Sequence, residues 1–248
     1  MRVVEDLLIG GNNGKVMDTR GCGNDAVGRS ILDILRGHAP TLAEGMVVTA
    51  DVPSSYTVVI NPIGSDRIFL HCPGANDAFG EPDVRAAALE GARIFHFGYP
   101  PIMRRMFADG GAEVAELLAR VRTGGAITSL DMAAVDPDSE AGSVDWPSFL
   151  ARVLPAVDLF LPSFDEMRFM LGLDDTPMAP PTLATISDRF LSMGAAVVAL
   201  KLGDRGLYLR TCSDPGRIES AGLAASWAGR ELLTPCFAVD VAGTTGSG

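Results

Sequence analysis

Six residues at the end of the chain, Gly243, Thr244, Thr245, Gly246, Ser247 and Gly248, carry the strongest chemical signal. Three glycines in six positions let the backbone turn sharply and bring amide N–H groups close to an anion. A helix beginning just after them would aim its free amides and its dipole at the same point. The segment is thus a candidate phosphate cradle. It lacks the Lys-Ser/Thr of a Walker A loop, and the alternative is a flexible Gly/Ser tail. A second glycine turn, Lys201-Leu202-Gly203-Asp204-Arg205-Gly206, follows an apolar run. Lys201 is unusual at the end of such a run, and by itself could simply snorkel to solvent. Asp131 closes another apolar run, where an α/β sheet keeps its ligand crevice, or else serves as a cap. Ser163 and Glu166 sit at the start of a helical pattern, where position alone makes Glu166 a solvated carboxylate.

The elements that must position these groups alternate. Helical periodicity is expected from a cap at Asn24 or Asp25 with Val27, Ile31, Ile34 and Leu35 on one face, from Pro82 to Gly91, and over 107–122, 145–154, 164–171 and 182–193. β-rich runs lie at 15–20, 93–97, 126–130, 157–161 and 195–200. Repeated β-α units of this length imply an α/β fold, a doubly wound, mostly parallel sheet with helices on both faces. One stretch breaks the rhythm. Runs at 54–61 and 67–72 flank a turn and read as an inserted hairpin, either a lid or an antiparallel sheet edge. Tyr56 and Phe69 on it would stack on a ligand or pack a small core. A second hairpin is expected at 207–211 and 231–234, and the 136–143 loop is acidic.

Composition narrows the classes. The chain of 248 residues, 47% hydrophobic and 21% charged, suits one large domain. Its net charge of -11, with no basic cluster, argues against nucleic acid and anionic membranes as partners. No run approaches the length of a membrane span, and no secretion signal opens the chain. Cys22, Cys72, Cys212 and Cys236 are scattered, as expected of reduced thiols in a cytoplasmic protein. His38, His71 and His96 have no zinc-ligand spacing.

Five segments, in order, resemble the ribokinase-like (PfkB-type) carbohydrate kinases. Residues 243–248 resemble the D-T-T-G-A-G-D signature, with Gly243 for the first Asp and Ser247 for Ala. The 23–28 segment resembles the early G-x-D-x-x-G turn, and Gly74, Ala75 and Asn76 match G-A-N. Asp158 with Pro162, Ser163 and Glu166 resembles D-x-x-x-P-N-x-x-E, with Ser163 for Asn. Residues 201–206 resemble T-x-G-x-x-G, with Lys201 for Thr. The resemblance implies one kinase domain over 1–248, incomplete at both ends, with a lid insertion at about 46–73. It implies transfer of the γ-phosphoryl of ATP to a hydroxymethyl group of a sugar or nucleoside, with Mg2+. Gly246, Ser247 and Gly248 would form an anion hole beside Thr244 and Thr245, and Glu166 would act on magnesium and its water. Gly203 and Gly206 would shape the adenine-side turn, with Asp131, Ser163 and Lys201 near the nucleotide. Family members often pair through lid strands, so a homodimer through the lid is expected.

The same resemblance places the general base one residue beyond Gly248, so this polypeptide is expected to have little turnover by itself. Two other classes stand beside it. One is a non-catalytic sugar- or nucleotide-binding relative. The other is an NAD-dependent oxidoreductase, because Gly21-Cys22-Gly23-Asn24-Asp25-Ala26 matches G-x-G-x-x-A. Against the latter, Asp25 would repel a pyrophosphate, and Glu44, the acid about 20 residues on, follows Pro40 in a loop.

Overall fold

The computed structural model describes residues 20–60, 62, 68–173 and 175–237. Their strands are β1 (Gly21–Gly23), β2 (Val47–Thr49), β3 (Tyr56–Ile60), β4 (Ile68–Cys72), β5 (Ile94–Gly98), β6 (Ile127–Asp131), β7 (Leu159–Phe160), β8 (Val197–Lys201), β9 (Leu207–Thr211) and β10 (Glu231–Thr234). Their helices are α1 (Ala26–His38), α2 (Pro40–Glu44), α3 (Ala75–Ala78), α4 (Ala86–Leu89), α5 (Arg104–Phe107), α6 (Ala112–Thr123), α7 (Trp146–Val153), α8 (Phe164–Met170), α9 (Pro180–Ser192) and α10 (Pro215–Ser220).

Among the described residues, six strands form the main sheet in the order β10-β9-β8-β7-β6-β5. β5 to β8 run parallel, while β9 and β10 run antiparallel at one edge. The sequence of β8, Val-Val-Ala-Leu-Lys, is apolar without alternation until its last residue, as a strand covered on both faces requires. Val198 and Leu200 enter the larger core with Phe160, Leu130 and Phe190. Val197 faces a smaller cluster with Ile218 and Ala221 of the α10 side. α6 presents Val114, Leu117, Leu118 and Val121 to the core at the i, i+3, i+4, i+7 spacing of a one-faced helix. No described helix is long and apolar enough to cross a membrane.

Several expected boundaries move, each for a local reason. The helix expected over 107–122 breaks into α5, a 3-10 turn and α6. Gly110 and Gly111 take φ of 61° and 77°, and a Cβ on Gly111 would lie 2.4 Å from the Phe149 ring. The helix expected from Pro82 to Gly91 splits because Val84 turns inward, 3% exposed, with extended φ/ψ. The hairpin expected at 207–211 and 231–234 is not separate: its strands are β9 and β10 of the main sheet, joined through α10. Tyr208 donates to Glu231 across that pair at 2.6 Å.

β3 and β4 pair antiparallel in a two-stranded sheet of their own. Tyr56, Val58, Ile60, Ile68 and Leu70 share one face and are all exposed, as are Val59 and Phe69 on the other. Tyr56 and Phe69 are therefore not among the described core residues. β2, within the 46–73 stretch, pairs with β1 rather than with this hairpin.

The expected strand at 15–20 lies almost wholly outside the described residues; Gly21–Gly23, just after it, is a strand. Its glycines serve packing. A Cβ on Gly23 would lie 2.1 Å from the Val52 carbonyl oxygen, and one on Gly28 would lie 2.0 Å from that of Gly23. Asp25 caps α1 by accepting from the Gly28 N–H at 2.7 Å. It also accepts from the Ser54 N–H at 2.8 Å and the Ser54 hydroxyl at 2.7 Å. A carboxylate thus occupies the helix N-terminus where a dinucleotide site would hold its pyrophosphate.

Those three donors hold the Asp25 carboxyl at about 2, below the ordinary 3.8. A carboxyl depressed on folding stabilises the fold above its unfolded pKa, and that contribution is lost as pH falls through the folded value. The melting-temperature gap between wild type and Asp25→Asn is therefore expected to be full at pH 5 and above, taking the unfolded value at about 4, and to shrink as pH falls toward 2. A gap constant across that window in a calorimetric series would count against this anchor.

Candidate active site

The carboxyl ends of β5, β6, β7 and β8 are adjacent in the sheet, and each delivers a polar side chain to one place. Asp131 is the last residue of β6 and Lys201 the last of β8. The Lys201 ammonium donates to Asp131 Oδ1 at 2.8 Å and Oδ2 at 2.7 Å. Lys201 does not snorkel to solvent, and Asp131 is not a simple cap. Asp131 Oδ1 also accepts from the N–H of Met132 at 2.8 Å.

β7 leads to Ser163 and Glu166, which form a reciprocal capping box on α8. Glu166 Oε2 accepts from the Ser163 N–H at 2.7 Å, and the Ser163 hydroxyl accepts from the Glu166 N–H at 3.2 Å. The turn is stitched to β8, where the Lys201 N–H donates to the Pro162 carbonyl at 2.9 Å. Burial pushes the Glu166 carboxyl up and Asp131 adds to this, while the Ser163 N–H and Lys201 pull it down. Glu166 is not the solvated carboxylate that helix position alone suggests.

Two residues at this place were not singled out from sequence. His96 in β5 pairs with Ser129 through Nδ1 at 3.0 Å. Burial pushes its imidazole below the ordinary value, against the pull of Asp131. Tyr99 follows β5 and takes left-handed φ 71° and ψ 47°. Its N–H donates to the Asp131 carbonyl at 3.3 Å. Burial, Asp131 and Glu166 raise its phenol, while Lys201 and Arg20 oppose them. An aromatic residue in this region costs about 1–3 kcal/mol, and the proline after it disfavours a helical backbone further. The signal that could have found it is the Gly-Tyr-Pro-Pro run at the end of a β-rich stretch, where ligand crevices lie.

Beyond Lys201 the chain makes the Gly203–Arg205 3-10 turn, closed by a Leu202 N–H to Gly206 carbonyl bond of 2.9 Å. Gly203 and Gly206 have φ of 62° and 100°. A Cβ on Gly206 would lie 2.0 Å from the Thr234 carbonyl oxygen. The end of β10 therefore passes directly against this turn, and the Cys236 thiol donates to the Gly203 carbonyl at 3.3 Å. Thr244, Thr245, Gly246, Ser247 and Gly248 lie outside the described residues. Of the remaining candidates, Asp131, Ser163, Glu166 and Lys201 come together, with Gly203 and Gly206 adjoining Lys201. Among the described residues no three His, Cys, Asp or Glu side chains are grouped to hold a metal ion.

No family model and no curated protein matches the sequence. Solved structures do match. The chain is similar to ribokinase from Giardia lamblia, with TM-score 0.66 and 14% identity over 91% of this chain and 60% of that one. It is also similar to Arabidopsis thaliana ribokinase complexed with ribose and ATP, with TM-score 0.66 and 16% identity over 93% and 64%. A fructokinase with bound ATP from Xylella fastidiosa gives TM-score 0.65 and 20% identity over 94% and 64%. The chain has the ribokinase-like fold. It spans less than two thirds of the length of these structures, 60% to 64% of each.

Proposed function

We propose that the chain is the greater part of an ATP-dependent phosphotransferase that phosphorylates a hydroxymethyl group of a sugar or sugar-like acceptor. The observation that carries this reading is the convergence of Lys201, Asp131 and Glu166 at the carboxyl ends of adjacent parallel strands. Open α/β sheets bind ligands there. Support comes from ribokinase and fructokinase structures of the same fold, two of them holding ATP.

The residues fit the two groups this reaction needs. A protein-only metal cage is missing among the described residues, but magnesium in such sites is held chiefly by substrate phosphates, with one or two carboxylates. Glu166, fixed by the Ser163 N–H, suits that partial role. Bound magnesium would neutralise charge on the phosphates. The turn at Gly203 and Gly206, with open space beside Gly203, would take the adenine side. Lys201 has a third N–H beyond the two given to Asp131, suited to a phosphate oxygen. The amides of Gly246, Ser247 and Gly248, beside Thr244 and Thr245, would receive charge developing on the transferred phosphoryl; each such donor contributes about 10²–10³ in rate.

In this reading residues 1–248 are one kinase domain with the 46–73 stretch carrying a lid. The apolar face of Tyr56, Val58, Ile60, Ile68 and Leu70 closes over the acceptor or meets the same face of a second copy. Edge strands this apolar need cover, and light scattering that shows only monomer at high concentration would remove the dimer. The four unpaired cysteines suit a reducing, cytoplasmic setting.

The test is a coupled ADP-release assay with Mg·ATP and a panel of sugars and nucleosides. It compares this polypeptide with one extended at both ends, carrying an aspartate after Gly248. Turnover by the extended chain and little by the shorter one is expected. Equal turnover would show the catalytic group misplaced, and none in either would favour a binding protein.

A further inference from the structure

The Lys201–Asp131 pair is made by the fold, not by chain neighbours. The two residues are 70 positions apart, on strands with β7 between them. Their side chains are 27% and 13% exposed, so solvent competes little for either. Both carboxylate oxygens of Asp131 are taken up by one ammonium, and Oδ1 by the Met132 N–H as well.

An aspartate at the end of a parallel strand is the kind of hard oxygen ligand that Mg2+ or Mn2+ seeks. Here a divalent ion would have to displace a cation that is covalently part of the chain, whose local concentration does not fall on dilution. It would also leave that ammonium unpaired in a mostly buried position, which is costly. The second carboxylate of the cluster, Glu166, has Oε2 held by the Ser163 N–H. We propose that Lys201 is a built-in counter-ion that fills the cation position on Asp131, so that Asp131 is a positioning partner of Lys201 and not a metal ligand. The lysine that stands where the resemblance expects threonine thereby holds an acid two strands away.

The inference concerns metal alone and does not require the phosphotransfer reading. Its test uses Mn2+ without nucleotide, followed by the electron paramagnetic resonance signal of the free ion. The full chain is compared with Lys201→Met, Asp131→Asn and the double variant, each checked for folding by circular dichroism. Asp131→Asn alone is expected to leave Mn2+ affinity unchanged. Lys201→Met should tighten Mn2+ binding by at least about tenfold, because a unit positive charge is removed within a few ångströms of the carboxylate. The double variant should return to the wild-type affinity. If Lys201→Met does not fold, Lys201→Gln makes the same charge change with a polar side chain. A loss of Mn2+ affinity on Asp131→Asn in the wild-type background would overturn the proposal, as would no gain on removing the lysine charge.

Discussion

Replacing Asp158 with alanine is expected to cost the fold about 3–5 kcal/mol, the range for breaking a buried ion pair from one side. Asp158 is 1% exposed. Its Oδ2 accepts from the Thr128 N–H at 2.8 Å and the Thr128 hydroxyl at 3.1 Å, and its Oδ1 from Arg217. Arg217 also donates to the carbonyls of Val157 at 2.8 Å and Gly194 at 3.3 Å. The pair ties α10 to β6 and the start of β7, the strand whose far end carries Ser163 and Glu166. Alanine strands the guanidinium and removes the acceptor of a buried N–H. Arg217→Met should cost a similar amount, because it leaves a buried carboxylate without its counter-charge. The double change Asp158→Ala with Arg217→Met should cost less than the sum of the two, since no unpaired charge remains. Urea melts of the four chains measure this. A single-variant loss under about 1 kcal/mol, the value of a surface pair, would mean that the contact is not the buried pair described.

The second large effect is on turnover. In an extended chain with an aspartate after Gly248, changing that aspartate to asparagine is expected to lower kcat by about 10²–10⁴. A sugar hydroxyl is a poor nucleophile at neutral pH, and a positioned base takes its proton as the phosphoryl arrives. Asparagine keeps the shape and a hydrogen bond but cannot accept that proton. Nucleotide binding should change little, because Lys201, Gly203, Gly206 and Glu166 are untouched. A comparable loss of ATP affinity, or a kcat within threefold of the parent, would assign the base elsewhere.

Much of the scaffold was legible because its signals are local. The unbroken apolar run at Val197 to Leu200 announces a buried strand, and the spacing of Val114, Leu117, Leu118 and Val121 announces a one-faced helix. Ser163 and Glu166 carry the S-x-x-E signature of a capping box. The break at Gly110–Gly111 has a local signal as well, since paired glycines favour a helix stop. Other features were out of reach. The Lys201–Asp131 contact depends on strand order, which no spacing encodes. Tyr99 precedes a proline, so sequence rules place it in extended backbone. It is left-handed instead, with its N–H given to the Asp131 carbonyl, a contact that no local rule encodes. Val27 and Ile34 of α1 share the apolar face but are 40% and 36% exposed, whereas Leu35 is buried.

The most direct measurement is hydrogen–deuterium exchange of the extended chain with and without a magnesium complex of a non-hydrolysable ATP analogue, with NADH as the comparison. Protection is expected at Met132, at Ser163 and Glu166, and around Gly203 and Gly206, and NADH should produce none there. Protection by NADH at Gly21 to Ala26, or ATP-analogue protection confined to sites away from the carboxyl ends of β5 to β8, would contradict a phosphotransferase nucleotide site at this end of the sheet.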